Sequence, residues 1–268
     1  MISMQQLVFQ NLNCEINYWY RKGSENRWIL FFHGAGCDHK MFEPQFEIFD
    51  DTYNIIAWDA RGHGESKLKP GIKFSFGDMI SDCKKLYEIY NIDKAILIGQ
   101  SMGGNLSQEL AYYYPELVDK LVLIDCSRNT GKLTSIENFS LKCSRFIFNC
   151  YPEKILLTQS ANASANKDSV RNYIKACFDS IGKDMFIDIM MELTGCLHED
   201  TEFRFKQPVL LLCGCDDKLG NIKKVAGPWA KDDSNCRLHI INNAGHNSNQ
   251  DNPEMVNGLI CDFLGTIK

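Results

Sequence analysis

Short apolar runs alternate along the chain with stretches in which apolar residues recur at helical spacing. Trp28 to Phe32 and Asn54 to Asp59 have the continuous pattern of strands covered on both faces, and Ala95 to Ile98, Leu121 to Asp125, Pro208 to Cys213 and Arg237 to Ile241 read as further strands. Between them, Met41 to Phe49, Phe76 to Tyr90 and Asn105 to Tyr114 carry helical patterns, and Pro253 to Leu264 forms a last amphipathic helix. Ahead of all these, Leu7 to Phe9 and Cys14 to Tyr20 flank a polar turn, Gln10 to Asn13, and read as an edge hairpin. Strand and helix in alternation predict the α/β class: a mostly parallel central sheet flanked by helices.

One region breaks this rhythm. From Ser127 to Phe205 no apolar strand run occurs, and Ile136 to Tyr151, Lys154 to Gln159, Ser169 to Ile181 and Asp184 to Leu193 read as helices. We therefore divide the chain into a core, residues 1–126 and 206–268, and a helical insertion, residues 127–205. The insertion is rich in large apolar side chains, among them Phe139, Phe146, Phe148, Tyr173, Phe178, Met185, Phe186, Met190 and Met191. Most are expected in its own core, with some turned toward a ligand.

Composition narrows the classes. A net charge of −5 leaves no basic stripe to neutralise phosphates, which argues against a nucleic-acid partner. No window approaches the roughly 18 apolar residues of a membrane span, and the first residues lack the charged and apolar blocks of a leader. The chain reads as cytoplasmic, with no membrane partner. Its twelve cysteines, including Cys126, Cys143, Cys150, Cys177, Cys213 and Cys261, lie scattered without a C-x-x-C pair, as buried thiols in a reducing compartment do. Cys213 and Cys215 lack a second pair, so no metal is expected. The Asn-x-Ser triplets at Asn105, Asn138 and Asn162 carry no weight in such a compartment.

The chemistry collects after strands. Gly99-Gln100-Ser101-Met102-Gly103 closes one apolar run and opens a helix, placing a serine on a sharp turn between small residues. Asp216 and Asp217 follow a later strand, and Gly245-His246 follows the last. A serine hydroxyl needs a base to become a nucleophile, and the base needs an acid to fix its tautomer. Ser101, an aspartate of the pair and His246 supply that order. Negative charge developing on a substrate oxygen needs donors in place, and the backbone N–H groups of Met102 and Ala35 are the candidates.

His33-Gly34-Ala35-Gly36, Asp59-Ala60-Arg61-Gly62-His63-Gly64-Glu65-Ser66, the Ser101 elbow, Gly214-Cys215-Asp216-Asp217 and Gly245-His246 together resemble the motifs of the α/β-hydrolase superfamily. The resemblance spans nearly the whole chain and implies an α/β-hydrolase fold whose insertion is a helical cap. It selects Asp217, three residues after the strand-ending glycine, over Asp216. It also makes Arg61, His63 and Ser66 a structural turn, with His33 ordering its own loop, while His198-Glu199-Asp200 reads as surface. The polar run Asn247 to Asn252 is expected to order the histidine loop.

The implied activity is a serine hydrolase cleaving a small carboxylic ester, thioester or lactone, with no cofactor and a substrate bearing an apolar acyl or aryl part. The same triad also serves carbon–carbon hydrolases, acyltransferases and cofactor-free haloperoxidases, and a capped receptor with little turnover is a further alternative. The sequence leaves the oligomeric state open.

Overall fold

The computed structural model describes residues 4–266. In chain order, β1 (Gln5–Asn11), β2 (Cys14–Arg21) and β3 (Arg27–Phe32) lead to the short α1 (Glu43–Phe46). Next come β4 (Tyr53–Trp58), α2 (Phe76–Tyr90), β5 (Ala95–Gln100), α3 (Met102–Tyr113) and β6 (Val118–Ile124). Three helices, α4 (Ser135–Cys150), α5 (Glu153–Ser164) and α6 (Asp168–Glu192), intervene before β7 (Val209–Gly214). The chain continues through α7 (Ile222–Asp232), β8 (Cys236–Ile241), α8 (Ser248–Asp251) and α9 (Pro253–Leu264).

All eight strands join one sheet in the order β1-β2-β4-β3-β5-β6-β7-β8. The pairs β1–β2 and β2–β4 are antiparallel, and the rest are parallel. The period of two explains why the central strands are apolar throughout: successive side chains enter opposite cores. Leu30, Phe32, Leu97, Leu121, Leu123 and Leu211 pack into one cluster. Their neighbours Ile29, Phe31, Ile98, Val122, Ile124 and Leu212 pack into the other. The predicted hairpin closes with a two-residue loop, Leu12 (φ 45°) and Asn13 (φ 64°), the left-handed pair that matches strand twist.

Several elements differ from expectation. The pattern from Met41 to Phe49 forms a 3-10 turn, His39–Phe42, followed by only four α-helical residues. The two helices expected between Ser169 and Leu193 run on as α6, with Gly182 at φ 75° marking the break. Helix α7 has no counterpart in the sequence reading, and it carries Gly227 and Pro228 within it. In the insertion, Phe178 and Phe186 are buried, but Phe139 and Phe146 on α4 are 68% and 73% exposed and so lie outside any core. Cys126 and Cys213 are buried as expected, whereas Cys143, Cys177 and Cys261 are half-buried and Cys150 is exposed. Among the described residues, no helix is long and apolar enough to cross a membrane.

Candidate active site

Strand β5 ends at Gln100, and Ser101 turns the chain into α3 at φ 50°, ψ −113°. That conformation is uncommon for a residue with a Cβ. It persists because the flanking backbone can close in tightly. A Cβ on Gly99 would stand 2.2 Å from the Gly103 carbonyl oxygen, and one on Gly104 2.7 Å from Cys126 Sγ. The turn is pinned by Ser101 N–H donating to Ile124 O at 2.9 Å and Asn105 N–H donating to Ser101 O at 2.9 Å. Ser101 itself remains partly exposed.

Asp217 and His246 meet in the interior. His246 Nδ1–H donates to Asp217 Oδ2 at 3.0 Å, which fixes the tautomer and leaves Nε2 with its lone pair. Asp217 is 6% exposed and His246 7%. Burial pulls the imidazolium down, but the hydrogen bond and charge of Asp217, with the charge of Asp125, outweigh it and raise His246 above its usual value. Asp216 lies apart, with Oδ2 accepting from Asn166 Nδ2 at 2.8 Å. Among the described residues, no hydrogen bond joins the Ser101 hydroxyl to the imidazole. Gln100, the residue before Ser101, donates through Nε2 to His246 O at 2.7 Å and so ties the elbow to the histidine loop.

Gln100 also explains Gly34, where a Cβ would stand 2.0 Å from Gln100 Oε1 and 3.5 Å from Ser101 Cβ. The His33–Gly36 turn therefore lies directly against the elbow. Met102, first residue of α3, has an N–H with no intrahelical acceptor. Ala35 N–H likewise has no acceptor among the described residues. Helix α6 covers the turn: a Cβ on Gly36 (φ 77°) would meet the Phe178 ring at 2.5 Å, and Tyr173 Oη donates to Asp38 Oδ1 at 2.8 Å. An open cavity of about 530 Å³ lies beside Asp217, lined by Lys218, Lys223 and Lys224 among others.

The family model described as alpha/beta hydrolase fold matches residues 27–153, which include the His33 turn and the Ser101 elbow. The matched stretch and the sheet topology give this chain the α/β-hydrolase fold. A Bacillus subtilis AB hydrolase superfamily protein is 24% identical over 249 residues, covering 88% of this chain and 90% of that one. An uncharacterized protein of Mycobacterium tuberculosis is 30% identical over 96 residues, 36% of this chain but only 28% of that protein's length. Among solved structures, a thermophilic esterase from Thermogutta terrifontis superposes with a TM-score of 0.77 at 20% identity, covering 98% of both chains.

Within this fold, the polar residues after β3 and β4 form a buried scaffold. His33 Nε2 accepts from Ala60 N–H at 2.9 Å, so its Nδ1–H donates to Gly34 O at 2.8 Å. Burial pushes His63 down to about 3, with His33 adding to it, so that ring stays neutral. Arg61, fully buried, donates through Nε and Nη2 to Asp82 and through Nη1 to Asp78, each at 2.7 Å. His198 departs from its surface reading. It sits in a half-buried network, with Nε2 2.8 Å from Glu109 Oε1 and its ring stacked on Tyr112.

The polar run after His246 ties three regions together. Asn247 N–H donates to Ser164 O at 2.8 Å, and Asn249 Nδ2 to Met41 O at 3.1 Å. Asp251 accepts from Gly245 N–H at 2.8 Å, Asn166 N–H at 2.8 Å and Lys167 N–H at 2.9 Å. Sequence reasoning missed Gln100 and Asp125 as site residues. The only signal for them is a polar side chain ending an otherwise apolar strand.

Proposed function

We propose that this chain is a serine hydrolase that cleaves a small carboxylic ester, with thioesters and lactones as close variants, through a covalent acyl-enzyme. The observation that carries the reading is the buried 3.0 Å hydrogen bond between His246 and Asp217, in a loop that Gln100 ties to the elbow holding Ser101 at φ 50°. Ser101 Oγ attacks the ester carbonyl carbon as its proton passes to His246 Nε2. Asp217 keeps the tautomer and stabilises the imidazolium, while the N–H groups of Ala35 and Met102 hold the oxyanion. Collapse breaks the C–O bond, and His246 returns the proton to the departing alcohol. Water, deprotonated by the same imidazole, then attacks the acyl-enzyme, releasing the carboxylic acid and restoring Ser101.

Residues 127–205 act in this reading as the cap, and the apolar ring of Phe178 above Gly36 suits an acyl or aryl group. That the structural neighbour is named an esterase supports ester chemistry on this fold. The test is reaction with a fluorophosphonate probe, read by intact mass, followed by a chain-length series of p-nitrophenyl esters. Wild type is expected to gain one adduct and hydrolyse the esters; Ser101→Ala is expected to do neither. Equal turnover by the two proteins would overturn the mechanism.

A further inference from the structure

Among the buried ionisable groups that the mechanism does not use, Asp125 stands nearest to the acid–base pair. Asp125 follows β6, is fully buried, and holds its backbone in the left-handed region at φ 47°. Both carboxylate oxygens are engaged by backbone: Oδ1 accepts Gly214 N–H at 2.7 Å, and Oδ2 accepts Ser248 N–H at 2.8 Å. Gly214 lies three residues before Asp217, and Ser248 two residues after His246. One side chain from β6 thus holds both the loop that carries the acid and the loop that carries the base.

Its charge is also close to theirs. Ligand atoms of Asp125, Cys213 and Asp217 lie within 4.8 Å of one another. Their grouping has the makings of a metal site, but the donors are committed elsewhere. Cys213 Sγ points to Gly214 O at 3.7 Å, Asp217 Oδ1 accepts Leu219 N–H at 2.9 Å, and Asp217 Oδ2 holds His246. What remains is a second carboxylate near the imidazole. The ionisable groups acting on His246 are Asp217, from the loop after β7, and Asp125, after β6. Asp125 in turn faces those two and the Cys126 and Cys213 thiols, while Asp251 of α8 is occupied by backbone N–H groups. Burial, with Asp217 adding and His246 opposing, raises the Asp125 carboxyl to about 7.

Resting on the triad reading above, we propose that Asp125 is a positioning residue for the acid–base pair. It clasps Gly214 and Ser248 so that Asp217 and His246 meet, and it brings a second carboxyl near the imidazole, where it favours the imidazolium that forms during the reaction whenever it is ionised.

The test compares wild type with Asp125→Asn, which keeps the size of the side chain, loses the charge and can accept only one of the two N–H groups. The readouts are the His246 titration by NMR and the steady-state kinetics of ester hydrolysis. The His246 pKa is expected to fall, and kcat to drop about 10- to 100-fold, the scale of a small misplacement in a catalytic constellation. KM should stay within about twofold, since substrate binding is untouched. A folded variant with an unmoved His246 pKa overturns the proposal, whether kcat falls or not, because a merely structural residue would behave that way. If the variant does not fold, the Gly214 and Ser248 amide protons of wild type report instead: both must shift together with one carboxyl titration, and independent behaviour overturns the clasp. Failure of the enzyme reading is separate, since an unlabelled, inactive wild type still yields the His246 comparison.

Discussion

Adding a single methyl group at Gly103 tests whether the elbow is as tightly built as its geometry says. A Cβ there would stand 1.9 Å from Phe32 O, 2.4 Å from Phe32 C and 2.8 Å from Phe32 Cβ. β3 cannot yield, because it is paired on both sides by β4 and β5. The first turn of α3 must therefore retreat by about 1.5 Å, an overpacking of the kind that costs roughly 1–3 kcal/mol and lies toward the upper end when the obstacle is backbone. Alanine's helix propensity returns at most about 1 kcal/mol. The expected net loss is about 2 kcal/mol, or roughly 4–8 °C in Tm for a domain of this size.

Gly258 is the control. It lies exposed in α9 with nothing within 4 Å of the place an added methyl group would occupy, so Gly258→Ala should gain roughly 0.5–1 kcal/mol. Thermal and urea denaturation of the two variants read the difference in sign. If Gly103→Ala matches wild type, or if both substitutions move stability the same way, the tight elbow is refuted. Activity adds a second readout: a retreat of about 1.5 Å is expected to cost about 100-fold or more in kcat.

Two further outcomes follow from the charges. The raised pKa of His246 places the acid limb of kcat/KM above the usual 6.5, since the base must be neutral; a midpoint below 6.5 would contradict the Asp217 and Asp125 contributions. The same shift contributes stability that is fully present below the unfolded pKa and is lost as pH rises through the folded one, which calorimetry across that range will detect. Arg61→Met strands the buried Asp82 carboxylate and should cost about 3–5 kcal/mol in urea titrations, whereas Arg61→Met with Asp82→Leu should recover much of it. Equal losses in the single and double variants would show that the buried pair is not what Arg61 supports.

The legible parts of this chain are those governed by local pattern. The strands from β3 to β7 stand out because both faces of each are covered, and α2 has the ends its pattern predicts, Phe76 and Tyr90. It begins at a Ser75 cap accepting Asp78 N–H and stops at Asn91 in the left-handed region. The elbow is legible because crowding at Gly99, Gly103 and Gly104 excludes larger side chains, leaving a sequence trace. Pattern fails where tertiary context outweighs propensity. Pro228 suggests a helix end, yet α7 carries it and places Trp229 in the core. The Phe139 and Phe146 side chains suggest a core, but α4 turns them to solvent.

The supporting residues of the site are hidden for a different reason. Gln100, Asp125 and Asp251 act through hydrogen bonds to backbone atoms far away in sequence, at His246, Gly214, Ser248 and Asn166. A backbone N–H is carried by almost every residue, so the partner leaves no mark in the sequence that would identify it. Asp217 and His246 escape this anonymity because each lies in the loop that follows one of two paired parallel strands, β7 and β8, at the same end of the sheet, where side chains from different loops must converge. The residues that hold them have no such constraint on spacing. A charged side chain closing an apolar strand, as Asp125 closes β6, is nonetheless costly enough to bury that it demands a partner. That cost makes such a residue, visible in the sequence itself, a place to look for the support of a site.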